Sequence, residues 1–355
     1  MKKRVLITPM DWGLGHASRC VKIIRKLNEY GYEVIIGCDN KPLHFLKKEF
    51  PNHDFVRLKA MPILYSKYIG ASFAIFLQIY KLIYNYIYER YITEKIINQF
   101  KIDAIITDNR FGVRSKKIPS IFVTHQVEIR SKYFMSFVNY VNISLINRFN
   151  ECWIVDDKKN RLSGSLSNSS KLYIKTQHLS NLSRFRYFKT MTKKQLLVLV
   201  SGPEPQRSVF EKKLIEASKK LKIKSIILQC KPSQSLVNKQ GNTSTISHLQ
   251  TEALNKLILE SRYVISRSGY TTVMDLAKLK KKSCLIATNG QYEQEYLSSY
   301  LGQHGFCLTS NLEKIDLEKI IGKLDEIHGF ANYKQDVVNW KDIFKIIAHA
   351  ELQSN

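Results

Sequence analysis

Hydrophobic and polar positions divide this chain into short apolar runs separated by longer segments with helical spacing. Short runs rich in Val and Ile that end in polar turns, with helical repeats between them, are typical of parallel sheets covered by helices. The runs are Arg4–Pro9, Glu33–Cys38, Phe55–Leu58, Ala104–Asp108, Ser120–Thr124 and Cys152–Val155 in the first half, and Leu196–Ser201, Ser225–Gln229, Tyr263–Ser266 and Ser283–Ala287 in the second. The pattern therefore predicts an α/β fold with two parallel sheets.

The length of 355 residues supports two domains, because single hydrophobic cores rarely grow to that size. We predict a first domain at 1–157, a basic linker at 158–194 and a second domain at 195–329. The linker segment is rich in Ser, Asn and Lys and loses the hydrophobic period. In the tail, 330–355, apolar residues recur at helical spacing, so we expect a C-terminal helix that packs near the domain junction.

One helical segment of the first half, Phe73–Tyr91, is rich in aromatic and aliphatic residues. Lys81 is the only charged residue between positions 69 and 88. A transmembrane helix needs about twenty apolar residues, and Gln78 and Asn85 also interrupt this segment. Three interpretations stay open: a core helix, a helix that lies in a membrane interface with its Tyr rings at headgroup level, and a spanning helix.

The formal net charge of +26 is unevenly distributed. From Lys158 to Lys194 there are ten Lys or Arg residues and no Asp or Glu, and from Arg110 to Arg148 there are seven basic residues and one acidic residue. Such a distribution reflects either a solubilising face and a lysine-rich composition or attraction to an anionic partner. Anionic partners of this kind are lipid headgroups, a lipid diphosphate and nucleic acid.

Six cysteines lie far apart, without a Cys-x-x-Cys pair. This spacing predicts reduced thiols in a cytoplasmic protein and argues against a zinc site. Near the start of the chain, the apolar run that follows Met1–Arg4 is too short for the hydrophobic region of a signal peptide. We therefore interpret it as the first buried strand.

The first strand opens through a glycine turn into a helix. Gly13 and Gly15 allow a tight turn and a close approach of a ligand to the backbone, and a helix N-terminus after such a turn is a common anion site. A dinucleotide-binding fingerprint has a third Gly where Ser18 stands, and His16 is unusual in that motif. We therefore favour other functions over nicotinamide binding and predict no cofactor.

Two histidines of the first half are candidates for a catalytic base. His16 begins the first helix, and Asp108 ends another strand of the same predicted sheet, so that a carboxylate can orient and activate the imidazole. His125 directly follows a neighbouring strand and competes for the role. Both remain candidates, and five further residues belong to the same predicted site: Gly13, Gly15, Arg19, Asn109 and Arg110.

In the second half, two strands also end in glycine turns that enter helices. Ser201 and Gly202 form the first turn, and the guanidinium of Arg207, early in the helix that follows, can bind a diphosphate. The second turn is a further phosphate cradle made of hydroxyl groups and backbone N–H groups. Its residues are Ser268, Gly269, Thr271 and Thr272.

Acidic and amide side chains follow this second turn. Asp275, one turn into the helix, can bind ribose hydroxyls or complement the helix dipole. The next helix begins with polar side chains that suit either sugar hydroxyls or capping. These are Gln291, Glu293, Gln294 and Glu295.

Taken in order, these motifs resemble the GT-B glycosyltransferases of family 28, a group that includes the N-acetylglucosaminyltransferase of the lipid-linked peptidoglycan precursor. The resemblance covers nearly the whole chain and is strongest at 261–305, where Ser-Arg-Ser-Gly-x-x-Thr-Val-x-Asp and Gln-Tyr-Glu-Gln-Glu are similar to the family's donor motifs. It implies two Rossmann-like domains that face a central cleft. The first would bind the acceptor, on the side of His16, His125 and the five residues grouped with them, and the second would bind the nucleotide sugar. It also implies diphosphate binding at Ser268–Thr272, ribose binding at Asp275, and donor-sugar binding at Gln294 and Glu295, with His16 as base and Asp108 as its partner.

Three segments differ from the peptidoglycan enzyme. Asp11-Trp12 stands where that enzyme is richer in Gly, Pro203-Glu204-Pro205 replaces a small flexible loop, and Glu295 replaces a typical Gln. A sister enzyme that acts on another lipid-linked or surface glycan therefore fits the sequence equally well.

We expect an inverting glycosyltransferase that uses a nucleoside-diphosphate sugar, with UDP as the nucleotide, and a glycan or lipid-linked acceptor. No Asp-x-Asp pair is placed for a metal, and Asp156-Asp157 lies next to the linker, so metal independence is predicted. We expect a cytoplasmic enzyme peripheral to the inner face of an anionic membrane, without a nucleic acid partner. The alternatives are a GT-B nucleotide-sugar epimerase, which needs no acceptor, and a basic membrane-binding or nucleic-acid-binding protein with an inactive sugar site.

Overall fold

The computed structural model describes residues 2–59, 79–132, 134–159, 161–231 and 236–349. The chain divides into two units. The first unit runs to Leu182 and takes up the chain again from Asp336, and the second unit spans Ser183–Gln335. Each unit contains a mainly parallel sheet together with helices, which confirms the predicted α/β fold.

Among its described residues, the first unit has a sheet of seven parallel strands in the order β3-β2-β1-β4-β5-β6-β7. The strands are β1 (Arg4–Pro9), β2 (Glu33–Cys38), β3 (Asp54–Arg57), β4 (Ala104–Asp108), β5 (Ser120–Thr124), β6 (Glu151–Ile154) and β7 (Lys175–His178). The strand order reverses between β1 and β4, where Pro9 lies opposite Asp108. Ligands of open parallel sheets bind at such a point, outside the carboxyl ends of the strands.

Four described helices connect these strands: α1 (Leu14–Glu29), α2 (Asn40–Glu49), α3 (Ile79–Phe100) and α4 (Met135–Ile146). Helix α1 buries Ala17, Val21, Ile24 and Leu27, which recur every three or four residues and so share one face. Strand β1 is buried throughout its apolar run, as expected for a parallel sheet that is covered on both faces.

The second unit repeats this architecture in the order β10-β11-β9-β8-β12-β13-β14. Its strands are β8 (Lys193–Leu199), β9 (Lys224–Leu228), β10 (Val237–Gln240), β11 (Thr243–Ile246), β12 (Ser261–Arg267), β13 (Ser283–Ile286) and β14 (Leu308–Thr309). The only antiparallel pair among the described strands is β10 with β11. The strand order reverses between β8 and β12, the two strands that precede the predicted phosphate-binding turns.

The helices of the second unit are α5 (Gln206–Ser218), α6 (Thr251–Glu260), α7 (Tyr270–Lys278), α8 (Tyr292–Gln303) and α9 (Leu317–Glu326). Apolar side chains of α5 and α9 pack with those of the central strands in one core. Phe210 and Leu214 of α5, Leu324 of α9, and Val198 and Ile265 of the sheet all belong to it.

The segment predicted as a linker, 158–194, differs from that prediction. It contains a short 3-10 turn at Gly164–Ser167 and strand β7, which pairs with β6, so the first unit continues as far as Leu182. The hydrophobic pattern does not reveal strand β7, because this strand lies at the sheet edge and consists of polar residues.

The C-terminal tail also differs from the single helix that was predicted. It forms α10 (Trp340–Ile343) and α11 (Lys345–Ala348), separated by Phe344. The ring of Phe344 lies 5.4 Å from that of Tyr30 and 6.0 Å from that of Trp153, measured between centroids. This part of the tail therefore packs on the first unit.

The aromatic segment Phe73–Tyr91 is described only from Ile79 onward, and its beginning lies outside the described residues. Within α3, Tyr80, Tyr84, Ile87 and Tyr91 are exposed and share one face. The core-helix interpretation therefore does not hold for this face. No helix in the described ranges is both long enough and apolar enough to cross a membrane.

Candidate active site

His16 and Asp108 meet at the carboxyl edge of the first sheet. Gly13, at φ 126°, precedes α1 and places His16 in its first turn, and Asp108 is the last residue of β4. Nδ1 of His16 lies 2.8 Å from Oδ1 of Asp108. The Asp108 side chain is 1% exposed and that of His16 is 18% exposed, so the pair has a buried carboxylate and a more accessible imidazole.

Arg19 contacts the same carboxylate from one turn further along α1. Its Nε donates to Oδ2 of Asp108 at 2.5 Å, and its Nη2 donates to Oδ1. Burial would raise the pKa of Asp108, but the charge of Arg19 and the contact with His16 hold that pKa well below its usual range. Asp108 is therefore ionised at neutral pH.

His125, the competing base, reaches the same cluster through Arg19. It follows the end of β5 and is buried, and its Nδ1 lies 2.8 Å from Nη1 of Arg19. The structure thus brings together His16, Asp108, Arg19 and His125, all predicted from sequence. It differs from the prediction for Arg19, because this side chain is buried in an ion pair instead of facing an acceptor.

Arg110 was also predicted on the acceptor side, and the structure places it elsewhere. Its guanidinium is buried, donates to Oε1 of Glu89 at 2.8 Å and donates to the carbonyl of Lys59 at 2.9 Å. These contacts tie α3 to the end of β3 and give Arg110 a structural role. Asn109 is half-buried in the left-handed region, at φ 59°, directly after Asp108. Gly15 lies in the first turn of α1.

In the second unit, the charged side chains around the turn after β8 form ion pairs with one another. Oε2 of Glu204 accepts from the backbone N–H of Ser208 at 3.2 Å, at the start of α5. Arg207 contacts Glu204 at 3.2 Å and Glu211 at 3.1 Å, and it donates to the carbonyl of Gln229. The prediction that Arg207 holds a diphosphate is not supported by these contacts, because two carboxylates already neutralise its charge.

Ser201 and Gly202 precede that internal network, at the end of β8. Gly202 is exposed at φ 112°, a conformation that favours glycine. A Cβ atom added to it would meet no atom within 4 Å. Space for a ligand therefore exists beside the backbone of this turn.

The turn after β12 leads into the N-terminus of α7. Gly269 precedes α7 and has no side chain to cap it, and the first turn of α7 holds no acidic residue. Thr271 and Thr272 are half-buried in that turn. Their hydroxyl groups and the first N–H groups of α7 form a site suited to an anion.

Ser268 connects this turn to the next one. Its Oγ donates to the carbonyl of Gln294 at 2.8 Å, although the residues are 26 positions apart. Oε1 of Gln294 accepts from the N–H of Thr288 at 3.0 Å, and Oε1 of Glu295 accepts from the N–H of Gly290 at 2.8 Å. The predicted sugar-binding side chains thus shape the loop that precedes α8.

Two further predicted residues lie beside that loop. Gln291 directly precedes α8, and its Oε1 accepts from Nε2 of Gln294. Glu293 is half-buried in the first turn of α8.

Asp275 points into the second unit. It is buried, and its Oδ1 accepts from Oγ of Ser183 at 2.5 Å. Burial raises the pKa of Asp275 to about 6, and this effect outweighs those of Arg184 and Ser183, which lower the pKa. The predicted ribose contact is therefore replaced, in this arrangement, by a contact that anchors the start of the second unit.

Two arginines have roles that sequence reasoning missed. Arg267, the last residue of β12, is buried with its guanidinium 4.2 Å from the ring centroid of Phe210, and it donates to the carbonyl of Ala287. It thereby holds the turns after β12 and β13 in place. The sequence does contain a signal for the contact of Arg19 with His16 and Asp108. His16 and Arg19 are three positions apart, so they share one face of the helix.

The paired acids Asp156 and Asp157 serve their own loop. Asp156 accepts from the N–H and the hydroxyl group of Ser163, at 2.7 and 2.6 Å, and burial raises its pKa to about 6. Asp157 accepts from Nε of Arg161 at 2.7 Å. In the described residues there is no group of three or more His, Cys, Asp or Glu side chains that could hold a metal ion.

Comparison with known proteins places this architecture in a defined class. Residues 198–339 match the glycosyltransferase family 28 C-terminal domain. No curated protein sequence matches the chain.

Three solved structures of similar fold share little sequence with this chain. The spinosyn forosaminyltransferase SpnP shares 12% identity over 99% of this chain and 96% of its own, with a TM-score of 0.64. MurG of Acinetobacter baumannii shares 13% sequence identity over 99% of this chain and 96% of its own chain, with a TM-score of 0.54. Arabidopsis thaliana UGT89C1, complexed with UDP-L-rhamnose, shares 11% sequence identity over 92% of this chain and 90% of its own chain, with a TM-score of 0.60.

The two sheets and the family domain define a glycosyltransferase of the GT-B fold. Within that class the chain is similar to family 28, through the domain matched at 198–339. The family resemblance is confirmed at 198–339, a range that contains 261–305, where it was strongest in the sequence.

Proposed function

We propose that this glycosyltransferase moves a sugar from a nucleoside-diphosphate sugar, with UDP as the nucleotide, to a hydroxyl group of a lipid-linked or cell-surface glycan. The observation that carries the proposal is the contact of 2.8 Å between Nδ1 of His16 and Oδ1 of Asp108. It lies where the strand order of the first sheet reverses, which is the usual ligand position in such sheets. With Nδ1 directed at the carboxylate, Nε2 can meet an acceptor hydroxyl.

The proposed reaction is a single displacement with inversion. The acceptor oxygen forms a bond to the anomeric carbon while the bond from that carbon to the diphosphate breaks, and His16 takes the hydroxyl proton. The departing diphosphate gains negative charge, which the N–H groups at the start of α7 and the hydroxyl groups of Thr271 and Thr272 can stabilise. These groups give the chain a means of binding the leaving group without a metal ion.

The choice of a nucleotide sugar as donor is supported by a structural neighbour and by the second unit. UGT89C1 was solved with UDP-L-rhamnose. In this chain, Gly202, Gly269 and Gly290 follow three adjacent strands, and a Cβ atom at each would meet nothing within 4 Å. The open backbone along this edge suits a nucleotide sugar bound at the carboxyl ends of β8, β12 and β13.

A peripheral position at the inner face of a membrane is supported by two exposed apolar surfaces of the first unit. One is the α3 stripe, made of Tyr80, Tyr84, Ile87 and Tyr91. The other comprises Phe134, Met135, Phe137 and Tyr140 at the start of α4. Exposed aromatic side chains on helices suit the interface of a bilayer, and the net charge of +26 favours anionic lipid.

Thermal unfolding with a panel of ligands tests the donor. The panel contains UDP, thymidine diphosphate, UDP-glucose, UDP-N-acetylglucosamine and UDP-L-rhamnose. A ligand present at 100 times its dissociation constant stabilises the fold by about 2.7 kcal/mol, which gives a measurable shift. No shift with any of them would contradict nucleotide-sugar binding.

Turnover of the selected donor then tests the reaction. Release of UDP should rise when a glycolipid acceptor is added and should survive EDTA. Loss of turnover in EDTA that is restored by magnesium would overturn the metal-independent mechanism. Conversion of the donor to an epimer without acceptor would favour the epimerase alternative instead.

A further inference from the structure

The Arg19 guanidinium contacts each titratable group that a proton transfer at this site would use. Its Nε and Nη2 donate to the two oxygens of Asp108. Its Nη2 lies 2.8 Å from Nδ1 of His16, and its Nη1 lies 2.8 Å from Nδ1 of His125. Arg19 is 2% exposed, so these contacts lie away from solvent and constrain where the protons reside.

The contact with Arg19 fixes the protonation of His125. A guanidinium has five N–H donors and no acceptor, so Nδ1 of His125, which lies 2.8 Å from Nη1, accepts a hydrogen bond from it. Nδ1 of His125 therefore carries no hydrogen, and the single hydrogen of the neutral ring is on Nε2. Neither nitrogen is then available as a base, which excludes His125 from that role and leaves His16.

The position of the hydrogen on His16 needs a further argument, because Nδ1 of this ring lies near both a donor, Arg19, and an acceptor, Asp108. Asp108 is ionised and can only accept. If Nδ1 carries the hydrogen, it donates to Asp108, and Nε2 keeps a lone pair for an incoming proton. If Nδ1 lacks the hydrogen, its lone pair faces the Asp108 oxygen at 2.8 Å and Nε2 cannot act as a base. Nη2 of Arg19 already donates to Oδ1 of Asp108, so it does not need the Nδ1 lone pair, whereas the second arrangement sets that lone pair against a carboxylate oxygen.

The two charges beside His16 act in opposite directions. A buried carboxylate alone would favour the imidazolium form, which cannot accept a proton, whereas the guanidinium opposes that form. We propose that Arg19 is a positioning residue that keeps His16 neutral with its hydrogen on Nδ1, and that holds His125 as an acceptor. The catalytic consequence rests on the proposed function, whereas the arrangement of protons does not.

The other groups near His16 do not alter this balance. Sγ of Cys20 on α1 lies 3.8 Å from Oδ2 of Asp108, and burial raises the pKa of this thiol, so it is neutral. Asp11, in the loop before α1, accepts from Nδ2 of Asn40 at 2.6 Å. Asp108 of β4 and His125 after β5 also belong to this cluster, and both contact Arg19.

Nitrogen NMR of the unmodified protein with ¹⁵N-labelled histidine tests the arrangement directly. The signals are assigned with His16→Gln and His125→Gln. At neutral pH we expect His16 with its hydrogen on Nδ1 and His125 with its hydrogen on Nε2. Imidazolium at either position, or a hydrogen on Nδ1 of His125, would overturn the proposal. This result does not depend on any substrate, so it stands apart from failure of the proposed function.

The pH dependence of UDP release, with the donor selected by thermal shift, tests the effect on the base. Removal of the guanidinium in Arg19→Gln should move the acid-side midpoint of kcat/KM up by about 1–3 pH units. Arg19→Lys should restore part of the shift, because it returns the charge without the two-pronged contact. Arg110→Gln removes another buried ion pair of the same unit and should leave the midpoint in place.

A loss of activity without a change in midpoint would make Arg19 merely structural and contradict the proposal. If Arg19→Gln does not fold, the Arg19→Lys profile and the spectrum of the unmodified protein decide the question.

Discussion

Nδ1 of His16 lies 2.8 Å from Oδ1 of Asp108, although the two residues are 92 positions apart in sequence. The turn after β1 supplies the histidine and the end of β4 supplies the carboxylate, and these strands are neighbours at the point where the sheet order reverses. The carboxylate is enclosed and the imidazole is partly open. The pair can therefore couple a buried charge to a substrate bound outside the sheet.

Replacement of the base should affect the chemical step more than donor binding. We expect His16→Ala to lower kcat by about 10²–10⁴-fold, the usual contribution of a general base. The dissociation constant for UDP should change little, because the proposed donor contacts belong to the second unit. Single-turnover kinetics and calorimetry measure the two effects. Near-normal turnover of His16→Ala would rule out this base.

Replacement of the carboxylate should instead affect stability most. Asp108→Asn leaves the Arg19 guanidinium buried without a counter-charge, and breaking a buried pair in this way costs about 3–5 kcal/mol. The activity of the folded protein should fall less than in His16→Ala, since the imidazole remains. Urea unfolding compares the two variants, and equal stability of Asp108→Asn and the parent would contradict the ion-pair assignment.

Sequence patterns located the central strands because these strands are buried on both faces. Ala104–Asp108 and Ser120–Thr124 were predicted with the bounds that the structure shows. Strands β7, β10, β11 and β14 were missed. Strands β7 and β11 have the mostly polar sequences Lys-Thr-Gln-His and Thr-Ser-Thr-Ile, β10 is exposed throughout, and β14 has only two residues. Edge strands need little hydrophobic burial and so leave a weak pattern.

The site was predictable where both residues lie at the carboxyl ends of parallel strands and unpredictable where one partner lies elsewhere. His16 and Asp108 follow from the rule that parallel strands end at one edge. The contact of Asp275 with Ser183 has no such signal, because Ser183 lies outside the strands and helices, at the start of the second unit. The ion pair of Arg207 with Glu211 could not be predicted either. Glu211 lies one helical turn further on, and the direction of its side chain depends on packing.

Asp275 gives the second unit a measurable pH dependence. Burial raises its pKa from 3.8 to about 6, so its favourable contribution is complete below pH 4 and is lost as the pH rises through 6. We expect Asp275→Asn, which can still accept from Ser183, to stabilise the fold at pH 8 by on the order of 3 kcal/mol. At pH 4 the gain should vanish.

Urea unfolding at both pH values checks this effect, and an equal change at pH 4 and pH 8 would contradict it. Calorimetry with UDP on the same variant examines the ribose contact predicted from sequence. A dissociation constant that rises by about tenfold would restore Asp275 to nucleotide binding, since that corresponds to about 1.4 kcal/mol. An unchanged constant would confine it to the contact with Ser183.

The exposed stripe of α3 should contribute to membrane binding. We expect the double variant Tyr84→Ser and Ile87→Ser to sediment less with vesicles of phosphatidylcholine and phosphatidylglycerol, because it removes apolar side chains that are suited to the interface. Tyr173→Ser is the matched control, since Tyr173 is 92% exposed in the same unit but lies outside α3. An equal loss of vesicle binding in the double variant and in Tyr173→Ser would contradict the proposal. It would also be contradicted if the unmodified protein bound vesicles of phosphatidylcholine alone as well as it binds the mixed vesicles.

Gly269 offers the sharpest test of the diphosphate site. It precedes α7 at φ −72°, which any residue can adopt, and a Cβ atom there would meet no protein atom within 4 Å. Gly269→Ala should therefore fold normally. The added methyl group would stand beside the helix N-terminus, where the diphosphate needs close access to the backbone. We expect the UDP dissociation constant to rise by about tenfold or more, which corresponds to about 1.4 kcal/mol.

Gly322 in α9 provides the matched control for Gly269→Ala, because a Cβ atom there also meets nothing within 4 Å. Gly322→Ala should raise the melting temperature, since Ala is favoured over Gly inside a helix by about 0.8–1.0 kcal/mol. It should leave UDP binding unchanged. Calorimetry with UDP on both variants separates the two effects. If Gly269→Ala binds UDP as tightly as Gly322→Ala does, the diphosphate does not approach the start of α7, and the leaving group must be stabilised at another turn of the second sheet.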